Sequence, residues 1–503
     1  MKCLFAAPLL LLATMVTVVA SNPEPVTSRA TPKDQPVPES RKDSVVRVNS
    51  TNQEYDFFRP WSKKAPINRR GLGVVIDGGR ILTTAQLIEN TTYIELEKAD
   101  GGEKATAQVQ VVDYEANLAT LTPTNPEFLK SLQPLDIDPN VKTGDHLNLL
   151  QLESNGTPVS TQALLTSVEV GKYLLDDMDF LLFKVSCPVQ YRENSFTLPL
   201  VKENKLAAFL MRYDPRSQTI DAVSGPVLAH FLKEAEHQLY RGFPRLGIGF
   251  SPTRDPQLRR YLKLQDSDGG VYVNEVSRNG PAAKAGLEEG DILLAIGNKA
   301  VDPDGNYTDP LYGRLSIVNL TTAEAYSGQQ IPLTILRKGE RKQLEISLFR
   351  VAPEDYVIAP YLIGKAPRYY VLGGMVFQEL SRQYLREWGP NWVKEAPQRF
   401  VYFDRFQSSL FPEPRKIVIL SQVMPTRDTV GYEQLNYLVV SRLNGVEIKN
   451  LDDFAKAAQS PINGFHKLEF DEDPHEIYLD AKQAQQDAPE LQKLYSLPAL
   501  QRL

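Results

Sequence analysis

The feature that most constrains this chain is a succession of short apolar runs between Ser44 and Leu200. Each run is β-branched or alternates apolar with polar residues, and turn residues separate the runs, as in SVVRV, GLGVVI, RILTTAQLI, TYIELEK, HLNLLQL and FLLFKVS. Many short strands at this spacing favour a sandwich or a pair of barrels. A hairpin is then predicted in LPLVKENKLAAFLMRY, and a closing helix over Pro226 to Tyr240. The predicted first domain spans residues 44–240.

Two further units follow, and they share one order of elements. The first contains RLGIGF, PQLRRYLKL, GVYVNEV, AAKAGL and DILLAIGNKAV; the second contains YYVLGGMVF, SRQYLREW, KIVILSQV, YLVVSRLNGVEI and LDDFAKAAQ. Such an internal repeat predicts two copies of one small α/β module, at residues 241–352 and 353–503. The second copy carries an aromatic-rich insertion, residues 389–414, to which the sequence assigns no role.

The N-terminal residues predict export. Residues 1–20 combine Lys2, an uninterrupted apolar stretch and small residues at the end, a pattern typical of a cleaved signal peptide. The alternative is a membrane anchor, because the apolar run nearly reaches the length that crosses a bilayer. Residues 21–43 are rich in proline, serine and charge, and predict a flexible linker. No later segment is apolar for long enough to span a membrane, so we expect a periplasmic or secreted chain without a stable membrane span.

The composition argues against several kinds of partner. There are 56 Lys and Arg against 62 Asp and Glu, a formal charge of -6, which gives no basic excess for binding a nucleic acid backbone. The two cysteines, Cys3 and Cys187, are too few for a disulfide framework or a cysteine-rich zinc site, and the five histidines are scattered. We therefore expect no nucleic acid, no metal and no other cofactor.

Several stretches resemble the HtrA/Deg serine proteases. GLGVVIDGGRILTTAQLI and VVDYEANLATL resemble their protease strands, and LGIGF followed by NGPAAKAGLEEGDILLAIGNKAV resembles their PDZ domains. The resemblance implies a mostly β fold, with a chymotrypsin-like double β-barrel followed by two α/β PDZ-like modules. The C-terminal unit is more similar to the two-PDZ branch represented by plant Deg9 than to bacterial DegP-type proteins. Trimers are common in this family, so the resemblance also implies a homo-oligomer.

The resemblance fails at two catalytic positions. In Thr83 to Leu87, Gln86 stands where active members carry the histidine base, and an amide cannot take a proton from a serine hydroxyl near neutral pH. Asn117 stands at the position of the orienting aspartate and lacks the charge that stabilises an imidazolium. The sequence therefore predicts that the base and its orienting group are both lost.

The nucleophile position is also altered. Pro199 sets a register that places Phe196 there, whereas a slip of one residue would place Ser195 there. No glycine lies between positions 171 and 225, although the family's oxyanion loop uses glycines to point two backbone N–H groups at the developing charge. Ser224 is a further candidate nucleophile, but its place before a helix favours a turn. We therefore predict no catalytic residues.

Peptide binding is the activity that the resemblance leaves. In PDZ domains a loop holds the terminal carboxylate of a peptide with backbone N–H groups, and the following strand pairs with the peptide. The stretch matching this loop and strand predicts a site formed by Leu246, Gly247, Ile248, Gly249 and Phe250. The alternative is that the two glycines only permit a tight entry to the strand. A second candidate site is formed by Gly373, Gly374, Met375 and Val376, in a module that some family members use for assembly instead.

The leading hypothesis is an exported, catalytically inactive HtrA/Deg-like protein. It would bind protein C-termini or unfolded polypeptide through its PDZ modules, as a chaperone-like or scaffold factor in protein quality control. One alternative is a serine endopeptidase with a displaced nucleophile at Ser195 or Ser224. A second alternative is a structural, regulatory subunit of an active relative.

Overall fold

The computed structural model describes residues 35–36, 43–99, 101–153, 155–175, 178–190, 196–427 and 429–503. The predicted export signal, nearly all of the predicted linker and Ser195 lie outside the described residues. Within these ranges no helix is long and apolar enough to cross a bilayer. From residue 34 onward the chain clusters as a single unit.

The first barrel closes six strands in the order β2-β3-β4-β7-β6-β5. A glycine is required where β3 crosses β4, because a Cβ on Gly73 would lie 2.5 Å from Cγ2 of Ile81. The elements are β1 (Gln35–Pro36), β2 (Val45–Asn52), β3 (Ile67–Ile76), β4 (Arg80–Thr83), α1 (Ala85–Ile88), β5 (Thr91–Lys98), β6 (Lys104–Asp113), β7 (Leu118–Pro123) and a 3-10 turn at Pro126–Leu129. β1 is not part of this barrel; it pairs with the strand Pro158–Lys172 of the second barrel.

The second barrel is a sheet in the order β10-β11-β14-β13-β12-β9 that closes through pairing of β9 with β10. Its elements are β8 (Asp136–Ile137), β9 (His146–Leu152), β10 (Pro158–Lys172), β11 (Asp179–Ser186), β12 (Pro199–Lys202), β13 (Lys205–Asp214), β14 (Thr219–Ser224) and α2 (Gly225–Glu234). The predicted hairpin is confirmed as β12 and β13. The closing helix carries proline in its first turn as predicted, but ends at Glu234 instead of Tyr240.

The first α/β module has a sheet in the order β15-β16-β17-β21-β22. Its elements are β15 (Ile248–Ser251), α3 (Pro256–Tyr261), β16 (Val271–Val276), α4 (Pro281–Lys284), β17 (Ile292–Ile296), β18 (Lys299–Ala300), β19 (Asn306–Asp309), β20 (Gly313–Ser316), α5 (Val318–Thr322), β21 (Gln330–Arg337) and β22 (Glu340–Ser347). β15 is short and ends immediately before Pro252, which has no N–H to continue a ladder.

The second module has a sheet in the order β29-β28-β26-β25-β24-β23-β30. Its elements are β23 (Tyr369–Leu372), β24 (Met375–Glu379), α6 (Arg382–Arg386), α7 (Trp392–Glu395), α8 (Gln398–Leu410), β25 (Val418–Val423), β26 (Leu438–Leu443), β27 (Val446–Glu447), α9 (Leu451–Ala457), β28 (Phe465–Phe470), β29 (Glu476–Asp480), α10 (Ala481–Leu494) and β30 (Gln501–Arg502), after a 3-10 turn at Pro353–Asp355. The insertion holds α7 and α8. The predicted fold class, a double β-barrel followed by two α/β modules, is confirmed.

The loop between β2 and β3 joins the first barrel to the second module. Phe57 is buried in a cluster with residues of that module, and Phe58 packs edge-on against Trp388, with ring centroids 4.8 Å apart. The side-chain amides of Gln378 and Gln422 donate to the Phe57 and Phe58 carbonyls at 3.2 and 2.8 Å. This loop therefore docks through both apolar packing and hydrogen bonds.

His230 lies where the second barrel meets the first module. Its ring, on α2, stacks between Phe243 and Tyr326, at centroid distances of 4.4 and 4.2 Å. Nδ1 lies 3.1 Å from the Ala323 carbonyl, so this nitrogen carries the proton, whereas Nε2 is buried without a hydrogen-bond partner in the described part of the chain. A second proton would place an unpaired N–H⁺ in the interface.

We expect His230 to make the fold less stable in mild acid. Burial lowers the pKa of His230, although Glu234 and Asp113 partly oppose that shift, and Lys233 adds to it. Because the folded pKa lies below the unfolded value of about 6.5, the unfolded chain binds more protons and stability falls as the pH drops below about 6.5. Urea unfolding at pH 7.5 and pH 5.5 measures this loss. It should be smaller in His230→Phe, and an equal loss in both proteins would contradict the assignment.

Candidate functional site

The structure brings two of the predicted catalytic positions together. Gln86 lies in α1, directly after β4, and its backbone N–H donates to Oδ1 of Asn117 at 2.9 Å. Asn117 is buried in the bend before β7, in a left-handed conformation with φ of 56°. Its Nδ2 is buried and has no hydrogen-bond partner among the described residues. The two side chains therefore form no hydrogen-bonded relay like that of a histidine and an aspartate.

Arg69 occupies the space beside Gln86. Its guanidinium donates to the Gln86 carbonyl, lies 3.5 Å from a carboxylate oxygen of Glu89 and stacks over the Phe196 ring with 5.1 Å to the centroid. Burial raises the pKa of Glu89, and Arg69 partly offsets that shift. Phe196 itself is 38% exposed. An arginine and an aromatic ring are thus stacked on each other beside Gln86.

The chain after Phe196 is buried against the first barrel. Thr197 and Leu198 are both buried, at 0% and 1% exposure. The Thr197 hydroxyl is 2.5 Å from that of Thr84, and its carbonyl accepts from the Leu72 N–H at 2.9 Å. This segment is therefore packed into the first barrel by its side chains.

Ser224 is placed as a helix cap position. It is fully buried before α2, and its hydroxyl donates to the Leu181 carbonyl at 2.7 Å. His230, on the same helix, uses Nδ1 on the Ala323 carbonyl instead. The Ser224 hydroxyl thus has a backbone acceptor, and no histidine or carboxylate among the described residues hydrogen-bonds to it, as the prediction of a turn and helix start implied.

The first module presents an open strand edge. Within the described part of the chain, β15 pairs only with β16. In the preceding loop the N–H groups of Leu246 and Gly247 donate to no other described group, while their carbonyls accept from Ala282 and Ser277 at 3.0 and 2.9 Å. Free N–H groups beside a free strand edge are what a terminal carboxylate and an extended peptide require.

The two glycines of this stretch have structural reasons to be glycine. Gly247 has φ of 78°, a left-handed conformation that other residues adopt at a cost. A Cβ on Gly249 would lie 2.8 Å from Oδ1 of Asn274. The glycines can therefore permit a tight entry to the strand and also be part of a peptide site, so the two interpretations do not exclude each other.

A cleft of about 260 Å³ runs beside β15. Its walls are β15 and α5, with Ile317 and Thr321 on the helical side. Met178 and Asp179 of the second barrel also line it. These four residues were not predicted, because only the tertiary fold brings them to β15.

The residues of the second candidate peptide site lie in a hairpin. Gly373 and Gly374 form a two-residue turn, both with positive φ, that joins β23 to β24. The apolar run around them is a hairpin and not one strand. Met375 and Val376 begin β24, which pairs with β23 on one side and β25 on the other. A peptide cannot add to β24, because both of its edges are occupied.

Comparison with known proteins finds PDZ domains and protease relatives. Residues 244–348 and residues 358–501 each match a PDZ domain model. Protease Do-like 2, chloroplastic, from Arabidopsis thaliana is 24% identical over 91% of this chain and 74% of its own length. Putative protease Do-like 12, mitochondrial, from the same plant is 25% identical over 90% and 85%. The chain thus carries two PDZ domains and is similar over most of its length to plant serine proteases of the HtrA/Deg type.

Among solved structures, the HtrA-type protease AlgW with decapeptide matches 62% of this chain and 97% of its own, at 20% identity and a TM-score of 0.46. The serine endoprotease from Yersinia pestis matches 63% and 100%, at 20% identity and a TM-score of 0.41.

Proposed function

We propose that this chain is a non-proteolytic HtrA/Deg-family member of the Deg9-like branch that binds protein C-termini or unfolded segments through its first PDZ domain. It would act as an exported chaperone-like or scaffold factor; export rests on the sequence of residues 1–20 alone. The observation that carries the proposal is the open edge of β15 beside the unused N–H groups of Leu246 and Gly247. Main-chain pairing along this edge supplies affinity, and the cleft supplies selectivity.

The loss of proteolysis is supported by the residues at the catalytic positions. Gln86 offers no base, and Asn117 contributes no negative charge. Arg69 stacks on Phe196, the residue that the register set by Pro199 assigns to the nucleophile position. Each change removes a different part of the reaction, so no single substitution would supply what is missing.

Two measurements on the full-length chain test the proposal. Titration with a library of C-terminal peptides should yield binders, and casein should remain uncleaved. A library without any binder would favour the structural-subunit alternative. Casein cleavage that disappears in Ser195→Ala or Ser224→Ala would instead identify a protease with a displaced nucleophile.

Restoring the family residues should not restore proteolysis. In the triple variant Gln86→His, Asn117→Asp and Phe196→Ser, the segment from Glu193 to Leu198 still has no glycine to form an oxyanion loop in the family's way. Loss of even one oxyanion donor costs about a hundred- to a thousandfold in rate. We expect casein hydrolysis by the triple variant to stay at the level of the wild-type chain. Clear hydrolysis by a variant that unfolds at the wild-type temperature would contradict this interpretation of the loop.

A further inference from the structure

The barrel supplies one wall of the PDZ cleft. α5, which borders the cleft, packs against β11 of the second barrel. Met178 and Asp179, where β11 begins, line the same cleft as Leu246 and Ile248. A peptide paired with β15 would therefore contact the barrel as well as the PDZ domain.

Two charged residues line this cleft, Asp179 and Arg245. Arg245 is already engaged, because its guanidinium lies 3.3 Å from the Glu115 carboxylate and donates to the Tyr356 hydroxyl at 3.0 Å. Asp179 is half-buried and makes no hydrogen bond or ion pair in the described part of the chain. Of the two charged side chains, Arg245 therefore has partners within the protein, whereas Asp179 has none among the described residues.

The surroundings of Asp179 favour a positive charge. Lys172 is its cross-strand neighbour in the pairing of β10 with β11, but lies beyond ion-pair distance. Burial raises the pKa of Asp179, and Lys172 only partly lowers it. A carboxylate that has lost water without gaining a partner gains from an incoming cation.

The rest of the cleft favours an apolar group. Leu246 and Ile317 are buried at 7% and 2% exposure. On α5 the hydroxyls of Thr321 and Thr322 donate to the Val318 carbonyl at 3.2 and 2.9 Å, so they are not free for a ligand. The carboxylate loop at Gly247 stands at the same end of the cleft as Leu246, which fits an apolar last residue there.

We propose that Asp179 makes this site selective for peptides with a lysine or arginine shortly before an apolar C-terminal residue. This inference rests on the proposed function, since it names the ligands of the same cleft. A cation on the peptide pairs with Asp179, whereas an acidic side chain would meet a carboxylate of like charge. Selectivity then comes from both attraction and repulsion.

The test is titration of the full-length chain with matched peptides. Each peptide ends in leucine with a free carboxylate, and carries lysine, alanine or glutamate at one of the three positions before it. At one position we expect lysine to bind about fivefold more tightly than alanine, the equivalent of about 1 kcal/mol for a partly exposed ion pair, and glutamate to bind more weakly than alanine. Asp179→Asn should remove this ranking, and Asp179→Lys should reverse it.

The control is Asp266→Asn, which removes an exposed carboxylate of the same PDZ domain that does not line the cleft. It should keep the wild-type ranking. Peptides that bind with the same affinity whatever their charge, and equally to Asp179→Asn, would overturn this inference and leave the proposed function standing. Failure of every peptide to bind the wild-type chain would overturn the proposed function and this inference together.

Discussion

Replacing Glu115 with alanine is expected to destabilise the folded chain by about 3 kcal/mol, at the lower end of the range for removing one partner of a buried ion pair. The Glu115 carboxylate is buried, lies 3.1 Å from the Arg350 guanidinium and 3.3 Å from that of Arg245, and accepts from the Tyr361 hydroxyl at 3.4 Å. The side chains of Arg350 and Arg245 are 20% and 17% exposed, so water screens part of the charge that the variant leaves behind.

The pKa of Arg350 also depends on Glu115. Burial by itself would lower the pKa of Arg350, but Asp113 and Glu115 raise it above its usual range. Without Glu115, two guanidiniums lose the negative charge between them.

Urea unfolding at pH 7.5 measures the change. Glu413→Ala is the matched control, because Glu413 pairs with Lys449 at 3.1 Å but is 72% exposed, and such surface pairs contribute about 1 kcal/mol or less. Equal losses of stability in the two variants would show that Glu115 does not hold the domains together.

Amidating a bound peptide is expected to weaken its binding to the full-length chain about ten- to a hundredfold. The N–H groups of Leu246 and Gly247 are available for a terminal carboxylate, and hydrogen bonds to a charged group contribute roughly 1.5 to 3 kcal/mol. Titration with the acid and amide forms of one peptide measures the difference. Equal affinities would indicate that the carboxylate does not reach this loop.

Gly247→Val tests the same loop from the side of the protein. It should weaken binding, because φ of 78° is strained for valine and the loop would change shape. Gly313→Val is the matched control: Gly313 has φ of 76° in the same PDZ domain, but does not line the cleft. Weaker binding in both variants would indicate a general loss of PDZ stability. Changes at Gln86 should leave peptide binding unaltered.

Strand periodicity made most of the architecture predictable. The alternation at the start of β9 and the continuous apolar run in the buried half of β3 are local patterns, so they can be recognised before any contact is known. The contact between Gln86 and Asn117 was implied by the family resemblance. The hairpin at Gly373 and Gly374 was missed although a Gly-Gly pair between apolar runs is a hairpin signal.

Other features depend on contacts between distant parts of the chain. Asp179 reaches the PDZ cleft because β11 packs on α5, and Glu115 meets Arg350 across 235 positions of sequence. Nothing in the residues around Phe57 indicates that they will dock on the second PDZ domain. Such pairings arise from the packing of whole domains, so no local pattern records them.

The docking of the Phe57 loop has a mechanical consequence. The second barrel meets the first PDZ domain at His230, and Arg278 of that domain donates to the Ser408 carbonyl of α8 in the second module at 3.1 Å. The second module in turn holds the Phe57 loop of the first barrel. The pair of barrels, the first PDZ domain and the second module thus each contact the other two, which gives a closed ring of domain contacts. A force applied to a peptide bound along β15 would be shared between the contact of the first PDZ domain with the second barrel and its contact with the second module. The force on each contact is therefore reduced.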